Sequence, residues 1–403
     1  MTVPQPQSVD RFRQFLRINT MHPTPDYYAC AEFLVQQGKE IGLETKTVEP
    51  VKGKPVVILK LEGSEPNEKS LLLSCHTDVV PVFAEYWTHD PFSADRVETG
   101  NGDFRIYARG SQDMKVTGSL YLEALRLIKS SGKKLRRNIF VVFAPDEEIG
   151  GTDGVKAFVE TEDFRQLNAG FDLDEGLLGA DHRNTFLYAE RTISQVIFTA
   201  NGNTGHGSQF IEGTAIEKLL PVINELMKLR DQEKAKLDAL DDDGTNIKSG
   251  EVTSINLTHL EGGKQPNVVP ATYSVTFDIR VTPNVDLEEF RSYLKNLADK
   301  NGVEMRLIQP DEGRTITKVD RSNPFIDTFL SVLEKRGVVP EPIICPGGTD
   351  ARFIRLKGVP AFGFNPLRHH KILAHDHDEY VLESEYLYGI GVYQDLIEGL
   401  ANV

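Results

Sequence analysis

Apolar residues run nearly unbroken at 71–75 (Leu71-Leu72-Leu73-Ser74-Cys75) and at 139–144 (Ile139 to Ala144). Such short runs are the pattern of strands covered on both faces. Residues 56–61, 169–173 and 360–365 read the same way. Between them the spacing becomes helical. Tyr27, Cys30, Leu34 and Ile41 share one face of a helix with Thr24-Pro25 as its N-cap and N1 pair and Gly42 at its end. Val116, Leu120, Ala124 and Leu127 predict a helix from 116, and another falls near 154–160. Asn323-Pro324 opens a helix with Phe325, Phe329, Val332 and Leu333 inward and Gly337 after it. Strands alternating with helices predict an α/β sheet that is at least partly parallel.

From about 192 to 308 the pattern differs. Tyr273, Val275, Phe277, Ile279 and Val281 alternate with Thr272, Ser274, Thr276, Asp278 and Arg280, which marks an antiparallel strand with one wet face. Asp286 and Glu289 form a capping box ahead of Leu287, Phe290, Leu294 and Leu297. With strands near 193–200, 252–260 and 304–308 and a helix near 215–229, the order is β-α-β-β-α-β, a split βαβ domain. Its first strand is expected at an edge or face available for pairing. The chain then reads as a larger α/β domain, 1–190 and 310–403, holding an inserted domain at 191–309, with linkers near 188–191 and 309–314.

A chain of 403 residues has ample core for two domains, and 39% hydrophobic with 26% charged residues is a soluble globular composition. The net charge of −15 argues against nucleic acid or an anionic membrane as partner. No apolar run reaches a membrane-spanning length, and the first residues show no secretory signal. Cys30, Cys75 and Cys345 are too few and scattered for a disulfide framework or thiolate metal site, so a cytoplasmic location is expected.

Chemistry enters at the strand ends, where open α/β sheets collect ligands. His76 and Asp78 follow the first long run and point to one side if the backbone stays extended. A carboxylate so placed can fix the tautomer of a metal-bound imidazole. Asp146-Glu147-Glu148 follow residues 139–144, and Asp174-Glu175 follow 169–173. Asp113 precedes a helix, and His375-Asp376-His377-Asp378-Glu379 follow the last strand. Histidines and carboxylates without a thiolate form an O/N donor set that suits zinc best, with manganese or cobalt as substitutes. Of Glu147 and Glu148, one can hold a metal while its neighbour takes a proton from water. His206 sits in a Gly-flanked loop, and His89, His369 and His370 read as bystanders. There is no phosphate-cradling loop for NTP or NAD and no Gly-x-Ser-x-Gly elbow.

Five segments carry a resemblance: Ser-Cys-His-Thr-Asp-Val-Val-Pro-Val from Ser74, Ala-Arg-Gly-Ser-Gln-Asp-Met-Lys from Ala108, Pro-Asp-Glu-Glu-Ile-Gly-Gly from Pro145, Leu-Asp-Glu-Gly from Leu173 and His-Asp-His-Asp-Glu from His375. Through them nearly the whole chain resembles the cocatalytic di-zinc aminopeptidase, carboxypeptidase and deacylase superfamily, and within it the aminoacylase branch. The resemblance implies a zinc-exopeptidase-like α/β catalytic domain with an inserted ferredoxin-like dimerisation domain. It implies two zinc ions sharing Asp113, one also held by His76 and Glu175, the other by Glu148 and His375. Asp174 could exchange roles with Glu175. Asp78 would orient His76, and Glu147 would be the general base, then the acid. His206 would reach the partner protomer's site to stabilise the oxyanion, and Asn267 and Arg352 would hold the substrate. Gly207 stands where the resemblance leads one to expect alanine. The implied activity is zinc-dependent hydrolysis of N-acyl-L-amino acids by a homodimer. The alternatives are a metallo-dipeptidase or carboxypeptidase of the same superfamily and a non-catalytic binding protein with this fold.

Overall fold

The computed structural model describes residues 5–240, 247–308, 313 and 315–403. The expected linker at 309–314 therefore lies, apart from 313 itself, outside or at the margin of the described residues. By compactness the chain divides into two units. One comprises Met1–Tyr188, Thr317–Pro342 and Thr349–Val403, and the other Ala189–Ile316 with Ile343–Gly348. The last segment joins the second unit because Arg191 donates through Nε and Nη2 to Pro346 O at 2.9 and 2.7 Å, and its N–H to Cys345 O at 3.1 Å.

An eight-stranded sheet, whose first six strands lie wholly in the first unit, has the order Glu44–Val51, Lys54–Leu61, Ile139–Ala144, Ser70–His76, Ala169–Asp174, Ala361–Phe364, Thr185–Glu190, Glu341–Cys345. Its centre is parallel: Ser70–His76 pairs in parallel with Ile139–Ala144 and with Ala169–Asp174, which pairs in parallel with Ala361–Phe364. Every residue of Ser70–His76 and Ile139–Ala144 is buried, as the unbroken apolar runs require. One face of these strands meets a core that includes Leu120, Tyr121 and Leu125 of helix Lys115–Ser130 and Tyr393 and Leu396 of helix Glu383–Leu400. Phe158, Phe164 and Phe353 belong to a core on the other face. Helix Tyr27–Ile41 ends at Gly42 with φ +82°, as expected. Its N-cap, however, is Asp26 and not Thr24: the Asp26 carboxylate accepts from Ala29 N at 3.1 Å. Among the described residues no helix is long and apolar enough to cross a membrane.

In the second unit the chain runs Thr192–Asn201, Ala215–Leu240, Ser254–Gly262, Thr272–Val281, Leu287–Lys300, Glu304–Leu307, with a short Gly205–His206 strand paired to Val268–Val269. The four longer strands form an antiparallel sheet in the order Ser254–Gly262, Thr272–Val281, Thr192–Asn201, Glu304–Leu307. This is the expected split βαβ topology, but it corrects the placement of the first strand. Thr192–Asn201 is central, paired on both sides, and the edges are Ser254–Gly262 and Glu304–Leu307. A split βαβ sends its first strand between the third and fourth, because each crossover helix must span one strand position. Val196, Phe198, Val275, Phe277 and Ile279 meet Leu219, Val222, Leu226 and Leu294 in its core.

Candidate active site

Three neighbouring parallel strands end on one edge of the first unit's sheet: His76 is level with Ala144, and Leu73 with Leu173. Residues just beyond these ends are thereby brought side by side. His76 is buried, and its Nδ1 donates to the main-chain oxygen of Asp78 at 3.0 Å. A carbonyl only accepts, so in the neutral ring, the form that binds a cation, the proton is on Nδ1 and Nε2 carries the lone pair. Nε2 lies 3.2 Å from Asp113 Oδ1 and 3.5 Å from Glu175 Oε2. The other oxygen of Asp113, Oδ2, is 3.2 Å from His375 Nε2, which is 2.9 Å from Glu148 Oε2.

Two trios thus converge and share one carboxylate: His76, Asp113 and Glu175, and Asp113, Glu148 and His375. An imidazole lone pair facing two carboxylates within hydrogen-bond distance is electrostatically satisfied by a cation between them, so the donor chemistry fits a metal pair. Asp174, adjacent to Glu175, is engaged elsewhere: its Oδ2 accepts from Ala351 N at 2.8 Å.

Asp78 is fully buried and touches His76 less through its carboxylate (3.6 Å) than through its own main chain. Its carboxylate oxygens instead accept the backbone N–H groups of Glu147 at 3.2 Å and Glu148 at 3.0 Å. That fixes the short turn Glu147–Ile149, which Asp146 enters with φ +67°. Burial, with Glu175 beside it, pushes the Glu147 carboxyl well above the usual carboxylate range. Burial likewise raises Glu175, to about 8, against the opposing pull of His76. Burial opposes ionisation of Asp113 too, but its hydrogen bonds to His375 and His76 hold it well below the ordinary value.

Glu379 closes the last acidic run of the sequence. Fully buried, it accepts from Arg109 Nη1 at 2.7 Å and from the N–H groups of Gly110 (3.2 Å), Gln112 (2.5 Å) and Asp113 (3.2 Å). It therefore ties the loop of Asp113 to the loop of His375. Arg352 is held by Thr349 O at 2.7 Å and Gly150 O at 2.9 Å, with Nη1 3.9 Å from Glu147 Oε1.

His206 and Asn267 lie in the second unit, side by side on the Gly205–His206 and Val268–Val269 ribbon, where Gly207 N donates to Asn267 O at 2.8 Å. His206 is exposed, and its Nδ1 accepts from Ser208 N at 3.2 Å. In the neutral ring the proton is then on Nε2, the form that can donate to an oxyanion. A Cβ at Gly207 would stand 3.3 Å from the Asn267 carbonyl carbon, an approach that a shift of a few tenths of an ångström would relieve.

His370 is no exposed bystander. It is 1% exposed, accepts from Leu382 N at 2.9 Å, and burial lowers its pKa to about 4. A third cluster went unnoticed in the sequence: His22, Asp78 and Asp146, all buried. It is no metal site, because Lys54 Nζ already stands 2.6 Å from Asp146 Oδ2 and Tyr27 Oη donates to Oδ1 at 2.6 Å. Nothing local to His22 signals its partner, which is 56 residues away.

The peptidase family M20/M25/M40 model matches residues 72–399 of the chain. The chain is 44% identical to aminoacylase-1 of Sus scrofa, over 98% of its own length and 96% of that protein's. It is 43% identical to aminoacylase-1 of Homo sapiens with the same coverage. A solved M20 family metallo-carboxypeptidase, Sso-CP2 from Sulfolobus solfataricus, shares the fold with a TM-score of 0.73 at 20% identity, over 99% of this chain and 100% of that one.

Proposed function

The chain belongs to peptidase family M20/M25/M40 and is a metal-dependent amidohydrolase, and from that membership we propose a cytoplasmic, homodimeric, two-zinc enzyme that hydrolyses N-acyl-L-amino acids to a carboxylate and a free amino acid. The observation that carries the metal count is Asp113, whose two oxygens each lie 3.2 Å from a different histidine Nε2. One ion would be held by His76, Glu175 and Asp113, the other by Glu148, His375 and Asp113. The acyl substrate is supported by relatives named aminoacylase-1 at 41–44% identity over nearly the full chain. Three buried, free cysteines fit a reducing compartment.

When bound, the zinc pair lowers the pKa of a water towards ~7 and draws charge from the scissile carbonyl. Glu147 accepts the proton that water loses as its oxygen bonds to the carbonyl carbon. The same carboxyl then delivers that proton to the amide nitrogen as the C–N bond breaks. Asp78 keeps Glu147 in place through its backbone N–H. Arg352 presents its fork to the free α-carboxylate, Asn267 contacts the substrate, and His206 of the partner protomer donates Nε2–H to the developing oxyanion.

The test is hydrolysis of N-acetyl-L-methionine by purified protein before chelation, after chelation and with zinc restored, beside a panel of dipeptides. Activity lost and regained with zinc is expected. Dipeptide cleavage without acylase activity would instead make the chain a metallo-dipeptidase or carboxypeptidase. Neither activity in zinc-replete protein would leave a non-catalytic binding protein.

A further inference from the structure

The Asp78 carboxylate holds the turn carrying the base and one metal ligand, so what holds Asp78 matters as much. Its oxygens accept the N–H groups of Glu147 and Glu148, and Oδ2 also receives His22 Nε2 at 2.9 Å. His22 and Asp78 are both buried, at 7% and 0% exposure. A carboxylate that far from water needs its donors fixed in place, and His22 provides the side-chain one on the flank away from His76. The same flank carries a second clamp. Tyr27 Oη donates to Asp146 Oδ1 at 2.6 Å and accepts from Asp146 N at 3.1 Å, while Lys54 pairs with the same carboxylate. Asp146 is the residue with φ +67° at the entrance of the turn, a conformation that side-chain-bearing residues hold only when their surroundings impose it.

We propose that His22 is a positioning residue for catalysis: by donating Nε2–H to Asp78 it fixes the carboxylate on which the Glu147–Glu148 turn hangs. The proposal rests on the roles given above to Glu147 and Glu148. His22 touches no reacting atom. It sets the direction of the base and the seat of one ligand through two backbone hydrogen bonds.

The experiment compares His22→Gln, whose amide nitrogen stands near the place of Nε2, with His22→Leu, which has no donor. Two readouts are taken on zinc-loaded protein: kcat and KM for N-acetyl-L-methionine, and the rate at which zinc passes to a chromophoric chelator. Partners of this kind are typically worth ~10- to 100-fold in activity or metal affinity. The expected result is a loss of that size in kcat for His22→Leu with KM within about twofold, faster zinc release, and both values close to wild type in His22→Gln. If His22→Leu does not fold, His22→Asn, one methylene shorter and unable to reach Asp78, takes its place. The proposal is overturned if the glutamine variant falls as far as the donorless one, if the donorless one matches wild type, or if only KM changes. Should wild type not turn over the acyl substrate at all, the proposed function fails, while the zinc-release comparison still decides the role of His22.

Discussion

Glu147 and Glu148 are chemically alike and adjacent, and only their surroundings set them apart. Glu148 lies 2.9 Å from His375 Nε2, while Glu147 has Arg352 at 3.9 Å and a carboxyl that burial drives upward. Glu147→Gln keeps shape and hydrogen bonding but cannot accept a proton. It should retain the full complement of zinc by elemental analysis and lose ~10²- to 10⁴-fold in kcat, and a variant of near-normal activity would sink the mechanism. His370 makes a separate prediction. Its pKa is about 4 folded against 6.5 unfolded, so between those values the unfolded chain binds the extra proton and stability falls as pH is lowered. From pH 7 to pH 5 this one group should cost about 2 kcal/mol. His370→Gln, which keeps an acceptor for Leu382 N, should lose that much less over the same interval in denaturant titrations. At this scale His76, Glu148 and Glu175 could be picked out as candidates because each lies at or just past a strand end, and Asp113 because it stands just before a helix. The choice between Asp174 and Glu175, and the contact of His22 with Asp78, could not. Both depend on which way a side chain faces and on what a distant segment places opposite it.

Helix Lys115–Ser130 starts just after Asp113, so its seat on the sheet bears on where that carboxylate stands. Gly118 is where it comes closest: a Cβ there would stand 2.7 Å from the Phe143 ring and 2.8 Å from Cys75 Sγ. Alanine favours a helix over glycine by ~1 kcal/mol, but overfilling a packed contact costs ~1–3 kcal/mol. Here the crowded atoms are buried and the second effect should win. Gly118→Ala is expected to destabilise by roughly 1–2 kcal/mol in a denaturant midpoint assay, and a stabilised variant would show the helix seat to be looser than its contacts imply. Elements with strong apolar signals were legible almost to the residue, as at Ile139–Ala144 and Thr272–Val281. Glu44–Val51 was not, because an edge strand whose residues are all exposed or half-buried leaves no apolar alternation to read. The cap at Asp26 was misplaced by two residues for a similar reason, since threonine, proline and aspartate all suit a helix start.

For the whole molecule, a metal bound only by the folded state adds stability by mass action, ~4 kcal/mol at a thousandfold excess over Kd. Chelation should therefore lower the melting temperature by several degrees as well as abolish activity, and zinc should restore both. An unchanged melt would place the metals outside the folded core. The mixed α/β character of the chain was legible because helical and strand spacings alternate along it. The central position of Thr192–Asn201 was not, since sheet order is set by crossovers and not by local pattern. The two ligand trios, finally, differ in when they can exist. His76, Asp113 and Glu175 all precede the second unit, whereas Asp113 and Glu148 wait for His375, which follows it. A ribosome therefore delivers every ligand of one site long before the other is complete. The shared carboxylate of Asp113 is thus present through most of synthesis with only one of its two histidine neighbours, His76, and meets His375 late.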